Sequence, residues 1–176
     1  MSSFHNNFSH IYVEEEAVNH PFGCQIINKF SSSKIIEIKS YRDIFLRKGQ
    51  NFDLQKKSKK IILAIKKSGF IYKGSHFSQD SNSMNFFYNT LSMNCLYDCS
   101  YCYLQGMYPS ANIVCFLNLS DYFDATKTAI KSRQDPSLPL FLSLSYDTDL
   151  LAFENIAPYC RHWIDFAHKN EHFVGE

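Results

Sequence analysis

The 176-residue chain has almost no net charge. A formal charge of +1 gives it no large field with which to draw a polyanion or a membrane surface to the molecule as a whole. It also lacks a long apolar run: none approaches the ~20 residues that a membrane-spanning helix needs. The longest strong runs, such as Ile61 to Ile65, suit buried strands instead. Met1 to His10 is polar, unlike the apolar stretch of a secretory leader. No repeat of solenoid length is present. There is no glycine-rich phosphate loop, and Ser, His and Asp nowhere form a recognisable nucleophile signature. Six cysteines are too sparse for a disulfide scaffold. What remains is a globular chain with its own core, 45% hydrophobic and 16% aromatic, expected to be cytoplasmic, with reduced cysteines and no membrane partner.

Against these absences stands the stretch Cys95-Leu-Tyr-Asp-Cys99-Ser-Tyr-Cys102-Tyr-Leu-Gln. Its C-x3-C-x2-C spacing lets a short loop turn three sulfurs toward one centre. Three thiolates hold three irons of a cubane 4Fe–4S cluster and leave the fourth iron open, whereas electron-transfer clusters are normally closed by four cysteines. An open iron is a place where a small molecule can bind and react. A zinc site is the competing reading. Cys99 and Cys102 make a C-x2-C pair and Cys95 a third ligand, with His76 or a remote cysteine needed as the fourth. Cys24, Cys115 and Cys160 sit among apolar residues and are expected to be small core residues.

The spacing is that of the radical SAM enzymes. With Tyr101 and Tyr103 on either side of Cys102, followed by Leu104 and Gln105, it resembles the cluster loop of the spore photoproduct lyase family. Ile11-Tyr12-Val13-Glu14 resembles that family's opening strand, and Val114 to Phe123 the segment after the cluster loop. The likeness is strong from Asn89 to Asp124 and weaker over nearly the whole chain. It implies a 4Fe–4S cluster on Cys95, Cys99 and Cys102, with S-adenosylmethionine chelated at the open iron and cleaved to a 5′-deoxyadenosyl radical. It implies a thymine-dimer lesion in DNA as substrate. Tyr101 and Tyr103 are then placed at the cofactor and in hydrogen-atom transfer. Ser145-Tyr146-Asp147-Thr148-Asp149 resembles the family's turn that helps to bind S-adenosylmethionine, with Thr148 and Asp149 matching its serine–aspartate pair. The lyases carry a hydrogen-donating cysteine at the start of this turn. Here that place falls on Ser145 or Tyr146, of which only a tyrosine O–H is weak enough to donate.

The fold expected is α/β. Residues 1–82 form a small mixed α/β region, with strands at Ile11–Val13, Lys34–Ile38 and Lys60–Ile65 and a helix from Cys24 to Phe30. A polar connector runs from Lys73 to Ser83. Residues 83–176 alternate strand and helix: a strand at Met84–Leu91, the cysteine loop, and an extended Ile113–Leu117. A helix capped by Ser120 then carries Phe123, Ala129 and Ile130 on one side, before a strand at Leu140–Leu144. A helix from Leu151 to Lys169, broken near Pro158, and a strand at Phe173–Val174 complete the series. This reads as the opening two to three βα units of a parallel array, which the resemblance makes a partial radical SAM, TIM-like barrel. Six units are expected of such a core. The chain is therefore expected to be a shortened or split form, inactive alone, with a separately encoded C-terminal half as one partner and DNA as another. The alternative is a non-catalytic iron–sulfur or zinc binding fragment.

Other charged groups read more plainly. The lysine-rich stretch from Arg47 to Lys73 suits either a solvated surface, the favoured reading, or a phosphate-binding patch. Glu14, Glu15 and Glu16 are expected to be solvated. His5 and His76 have no ligand-like partner spacing, and His162, His168 and His172 are expected at the surface or at a helix end.

Overall fold

The computed structural model describes residues 8–75 and 84–176; His5 and His76 lie outside them, as does the connector beyond Ser75. In chain order the elements are β1 (His10–Glu14), a 3-10 turn (Glu15–Ala17), α1 (Pro21–Asn28), β2 (Lys34–Ile38), α2 (Tyr41–Phe45), α3 (Phe52–Lys56) and β3 (Ile61–Ala64). There follow β4 (Tyr72–Lys73), β5 (Phe86–Tyr88), β6 (Ser92–Met93), β7 (Ile113–Phe116) and α4 (Leu119–Lys131). Last come β8 (Leu140–Ser143), α5 (Leu150–Phe153), α6 (Tyr159–His168) and β9 (Phe173–Gly175). No helix among the described residues is long and apolar enough to cross a membrane.

The elements form two compact units, each built from two stretches of chain. The first takes the described residues up to 65 together with 93–117; the second takes 66–92 together with 118–176.

The first unit is organised by a sheet in the order β2-β1-β3-β7-β6, with Met93 of β6 contributed by this unit. The pairs β1–β2, β1–β3 and β3–β7 are all parallel. The central strands β3 (IILA) and β7 (IVCF) are buried at every position, as expected where both faces of a parallel sheet are covered. β2 is an edge strand and leaves Ile35 exposed. Pro21 opens α1, where its missing N–H costs nothing. Asn51 caps α3 by accepting the Leu54 N–H at 2.9 Å.

Two expectations fail in this unit. Glu14 is buried, not solvated: one carboxylate oxygen accepts the Tyr41 N–H at 2.6 Å and the other the Ile65 N–H at 2.9 Å. It thereby satisfies two backbone donors at the start of α2 and just past β3. Glu15 and Glu16 are exposed as expected. Cys24 is exposed on α1, because the helix turns Phe22, Gly23 and Ile26 inward. Cys115 is buried in β7 as expected.

The second unit carries a sheet in the order β4-β5-β8-β9, in which β5, β8 and β9 are mutually parallel and β4 is antiparallel to β5. Its core is aromatic. The Phe123 ring stacks on Phe166 at 4.9 Å and meets Trp163 edge-on at 4.9 Å; Phe173 meets Phe166 edge-on at 5.0 Å. The buried face of α6 is Tyr159, Trp163 and Phe166, three positions at helical spacing. The break near Pro158 separates α5 from α6. His162, His168 and His172 are exposed, and Cys160 is half-buried.

Two further corrections concern this half of the chain. β7 and β8 do not pair with each other: β7 pairs with β3, while β8 pairs with β5 and β9. Strand–helix alternation along the chain cannot show which sheet a fully apolar strand joins. Helix α4 begins two residues earlier than expected, with Asn118 rather than Ser120 at its cap. The Asn118 side chain does not cap a helix N–H. It pairs with both main-chain groups of Lys66, at 2.9 Å each, and donates to the Asp121 carboxylate. The buried face of α4 is Leu119, Tyr122, Thr126 and Ala129; of the expected Phe123, Ala129 and Ile130, Ala129 is buried and the other two are half-buried.

Candidate functional site

The cysteine loop lies in the first unit, between β6 and β7, and is built of turns. Successive turn bonds run from Cys102 N–H to Cys99 C=O at 3.0 Å and from Gln105 N–H to Cys102 C=O at 3.1 Å. Such a loop holds its shape only if something fixes its ends. Asn94 fixes them: it takes the left-handed conformation at φ 65° and its amide donates to the carbonyls of Ser110 and Asn112, at 2.6 and 2.7 Å. The Gln55 carbonyl oxygen, from α3, accepts the Ser110 hydroxyl and the Ala111 N–H. The Asn112 side-chain oxygen accepts the Lys60 N–H at 3.0 Å.

The middle of the loop is held by two lysines. Lys59 Nζ donates to three successive carbonyls, those of Cys95, Leu96 and Tyr97, at 2.9, 3.1 and 3.3 Å. Burial pushes this ammonium below its usual range, opposed by the charges of Asp98 and Cys95. Lys56 Nζ lies 2.6 Å from Asp98 Oδ1 and donates to Gln105 Oε1 at 3.0 Å; Gln105 Nε2 in turn reaches Asp98 Oδ1 at 2.7 Å. Hydrogen bonds from Lys56 and Gln105 hold the Asp98 carboxyl below its ordinary range. A solvated lysine surface is therefore not what this stretch supplies at positions 56 and 59. Sequence reasoning missed both residues because their partners lie 36 to 49 positions away.

Cys95, Cys99 and Cys102 are free thiols, each half-buried on this loop. Tyr101 is 91% exposed and Tyr103 is also exposed. No group of three His, Cys, Asp or Glu arranged to hold a metal ion is present among the described residues. A cubane takes one thiolate per iron and so holds its cysteine sulfurs farther apart than a single ion does. The donor set fits such a cluster in kind and number: three accessible, unbridged thiols on one loop whose backbone is braced from within its own unit.

The turn after β8 lies in the second unit. Ser145 is fully buried and left-handed, at φ 56°. Its hydroxyl oxygen accepts the N–H groups of Leu91 and Ser92, both at 3.1 Å. Its own N–H donates to the Asn89 side-chain carbonyl at 2.7 Å, and the next N–H, of Tyr146, to the Asn89 main chain at 3.2 Å. Ser145 thus joins the chain after β5 to the chain after β8. Asp147 is buried and accepts the Thr90 hydroxyl at 3.0 Å. Asp149 caps α5, accepting the Ala152 N–H at 3.1 Å. Thr148 Oγ1 is buried with no hydrogen-bond partner among the described residues, an orphan that a bound polar group would satisfy.

Tyr146 differs from its neighbour in every respect. It is 45% exposed, and its ring meets Tyr88 edge-on at 5.4 Å; Tyr88 stacks on Tyr72 at 5.3 Å. Partial burial, then the charges of Asp147 and Tyr88, raise its phenol above the usual range, so the O–H keeps its proton at neutral pH. It lines a cavity of about 430 Å³ with Lys73, Gly74, Phe86, Tyr88 and Ser143. A Cβ on Gly74 would stand 2.0 Å from the Phe86 ring, so this wall admits only glycine as built.

The sequence model of the spore photoproduct lyase family matches residues 7–174. No curated protein matches the chain significantly. Among solved structures, a spore photoproduct lyase complexed with dinucleoside spore photoproduct is similar at a TM-score of 0.75 and 20% identity, over 96% of this chain and 49% of that one. A double mutant of spore photoproduct lyase with bound AdoMet and dinucleoside spore photoproduct gives 0.73 and 20%, over 95% and 48%. The chain thus spans about half the length of the structures it matches. Identities this low establish the α/β fold with parallel sheets; the family follows from the sequence match across 7–174, and the chain belongs to the spore photoproduct lyase family.

Proposed function

We propose that this chain carries the cluster-binding and cofactor-binding segments of a radical SAM lyase acting on spore photoproduct in DNA. The supporting observation is a loop with three free, half-buried thiols, tied at both ends by Asn94 and braced by Lys56 and Lys59, in a chain of this family. Cys95, Cys99 and Cys102 would hold a 4Fe–4S cluster. Bound there, the reduced cluster supplies the electron that cleaves S-adenosylmethionine to the 5′-deoxyadenosyl radical, the agent that takes hydrogen from the lesion's methylene bridge.

The chain's own residues divide the remaining work. Thr148, with its orphan hydroxyl, binds the cofactor's methionyl end. Tyr101 and Tyr103 stand exposed on the loop, open to cofactor and to hydrogen transfer. Of the two residues at the lyases' cysteine position, Ser145 is spent on backbone N–H groups and Tyr146 keeps an accessible phenol. Tyr146 is therefore the hydrogen donor in this reading, giving its O–H hydrogen to the product carbon radical and becoming a phenoxyl radical. Ser145 acts as a structural anchor.

In this reading β5, β8 and β9 open a TIM-like barrel within residues 83–176, and residues 1–82 precede it. Cytoplasmic reducing conditions keep the thiols available.

Anaerobic reconstitution with iron and sulfide tests the reading. About four irons per chain are expected, with visible absorption that Cys99→Ala abolishes and Cys24→Ala leaves intact. Equal loss from both variants, or zinc in place of iron, contradicts it. For the donor, Tyr146→Cys in a form extended by a barrel C-terminal half should raise the yield of cleanly repaired thymine; an unchanged yield removes Tyr146 from the donor position.

A further inference from the structure

We infer that Lys59 and Lys56 are positioning residues that hold the cysteine loop in its thiol-presenting shape, and that Lys59 also sets how readily a cluster bound there accepts an electron. The second half of this inference rests on the cluster reading above; the first does not.

The geometry is unusual for lysine. A surface lysine spends its three donors on water. Lys59 instead places Nζ within hydrogen-bond reach of three consecutive carbonyls, beginning at the first cysteine of the motif. Three carbonyl dipoles pointing at one ammonium force residues 95–97 to curl around it. That curl fixes the direction in which the backbone leaves Cys95. Lys56, one helical turn earlier in sequence, takes the next stretch through Asp98 and reaches the far limb through Gln105. Gln105 closes the triangle by donating to Asp98 and, at 3.4 Å, to the carbonyl of the second cysteine, Cys99. Gln55, on the same helix as Lys56, holds residues 110 and 111. The segment from Gln55 to Lys59 therefore touches the loop along its whole length, beside Cys95, beside Cys99 and at the exit.

The energetics favour Lys59 over Lys56 as the principal brace. Lys59 donates to three loop carbonyls, two of them part-buried, and these hydrogen bonds are charge-assisted. The Lys56–Asp98 pair is half open to solvent, where ion pairs contribute little. A fixed positive charge against the backbone of a thiolate ligand also stabilises added negative charge on whatever that ligand binds. Lys59 is thus suited both to shape the loop and to ease its reduction.

The test uses the full chain in two forms. In the metal-free protein, amide hydrogen exchange across residues 95–105 is followed in Lys59→Met, Lys59→Arg and Lys56→Met. Exchange should rise about tenfold in Lys59→Met, the loss of charge-assisted hydrogen bonds, and about twofold in Lys56→Met, with partial recovery in Lys59→Arg. Exchange in β3 and β7 of the same samples reports the fold, so a globally loosened variant is recognised and Lys56→Met then carries the comparison. Loop exchange unchanged in both Met variants overturns the brace, whether or not the protein takes up iron. In the reconstituted protein titrated with dithionite, Lys59→Met should lower the ratio of reduced to oxidised cluster about tenfold at a fixed potential, or about 59 mV for one electron. A midpoint unmoved by Lys59→Met overturns the electronic half. A wild-type chain that takes up no iron overturns the cluster reading, and the electronic half with it, while the exchange arm still decides the brace.

Discussion

The cysteine loop and the turn after β8 are both irregular segments at the ends of parallel strands, and each contains one non-glycine residue in the left-handed region, Asn94 and Ser145. They are stabilised in different ways. Side chains hold the loop: Asn94 within it to residues 110 and 112 and, from distant sequence, Lys59 to 95–97 and Lys56 to 98 and 105. The turn is held mainly by backbone N–H groups converging on two buried side chains, Ser145 and Asn89. The loop leaves its reactive groups half-open and its anchors charged. The turn buries its anchor and exposes the neighbour, Tyr146. Adjacent residues can thus carry opposite duties.

Substitutions at three positions would break or sharpen this contrast. The largest effect is expected at Asn94, where Asn94→Ala removes two buried carbonyl partners and places a Cβ residue without a local hydrogen bond in the left-handed region. A loss of about 3 kcal/mol in urea denaturation is expected, and Asn94→Gly should recover part of it by relieving the backbone. Ser145→Ala should cost about 2 kcal/mol, because two buried N–H groups lose their acceptor. A neutral Ser145→Ala would show that those donors find water and that Ser145 is no anchor. Tyr146→Phe should change stability by no more than about 0.5 kcal/mol, since the ring contact with Tyr88 is kept. A larger loss would give Tyr146 a structural duty and weaken its separation from Ser145.

What was legible in the sequence follows the same division. Local signals read well: the apolar run Ile61–Ala64, the broken helix on either side of Pro158, and β9 at Phe173–Gly175 all stand where their patterns put them. The cysteine spacing led to the family that the sequence match bears out. Long-range partnerships did not read. Nothing near Glu14 announces that it closes two backbone donors 27 and 51 residues away, so a run of three acids looked solvated. Cys24 sits among apolar residues in sequence, but the helix phase turns it outward. The apolar run at Ile113–Phe116 could not announce its sheet, since a strand covered on both faces has no alternation to read. Asn118 displaced Ser120 as the start of α4 because Lys66, far off in sequence, needed both halves of its amide.

The smallest expected effect is a pH dependence confined to the loop. Asp98 is held below the ordinary carboxylate range by hydrogen bonds from Lys56 and Gln105. Its contribution is fully present at the ordinary carboxylate value and above, and is lost as pH falls through the depressed one. Amide exchange at residues 98–105 should quicken at the acid end relative to the turn at 145–149, once corrected for intrinsic rates. Parallel behaviour of the two segments would show that Asp98 adds nothing to the brace.

In the proposed function, three cysteines on a braced loop would hold a cluster with one iron left open. The most direct measurement is the Mössbauer spectrum of the anaerobically reconstituted, iron-57-labelled chain, with and without S-adenosylmethionine. One iron of about four should separate from the rest when the cofactor is added, because it alone lacks a thiolate. Irons that respond identically in both spectra, or a chain that retains zinc and no iron, would contradict the account.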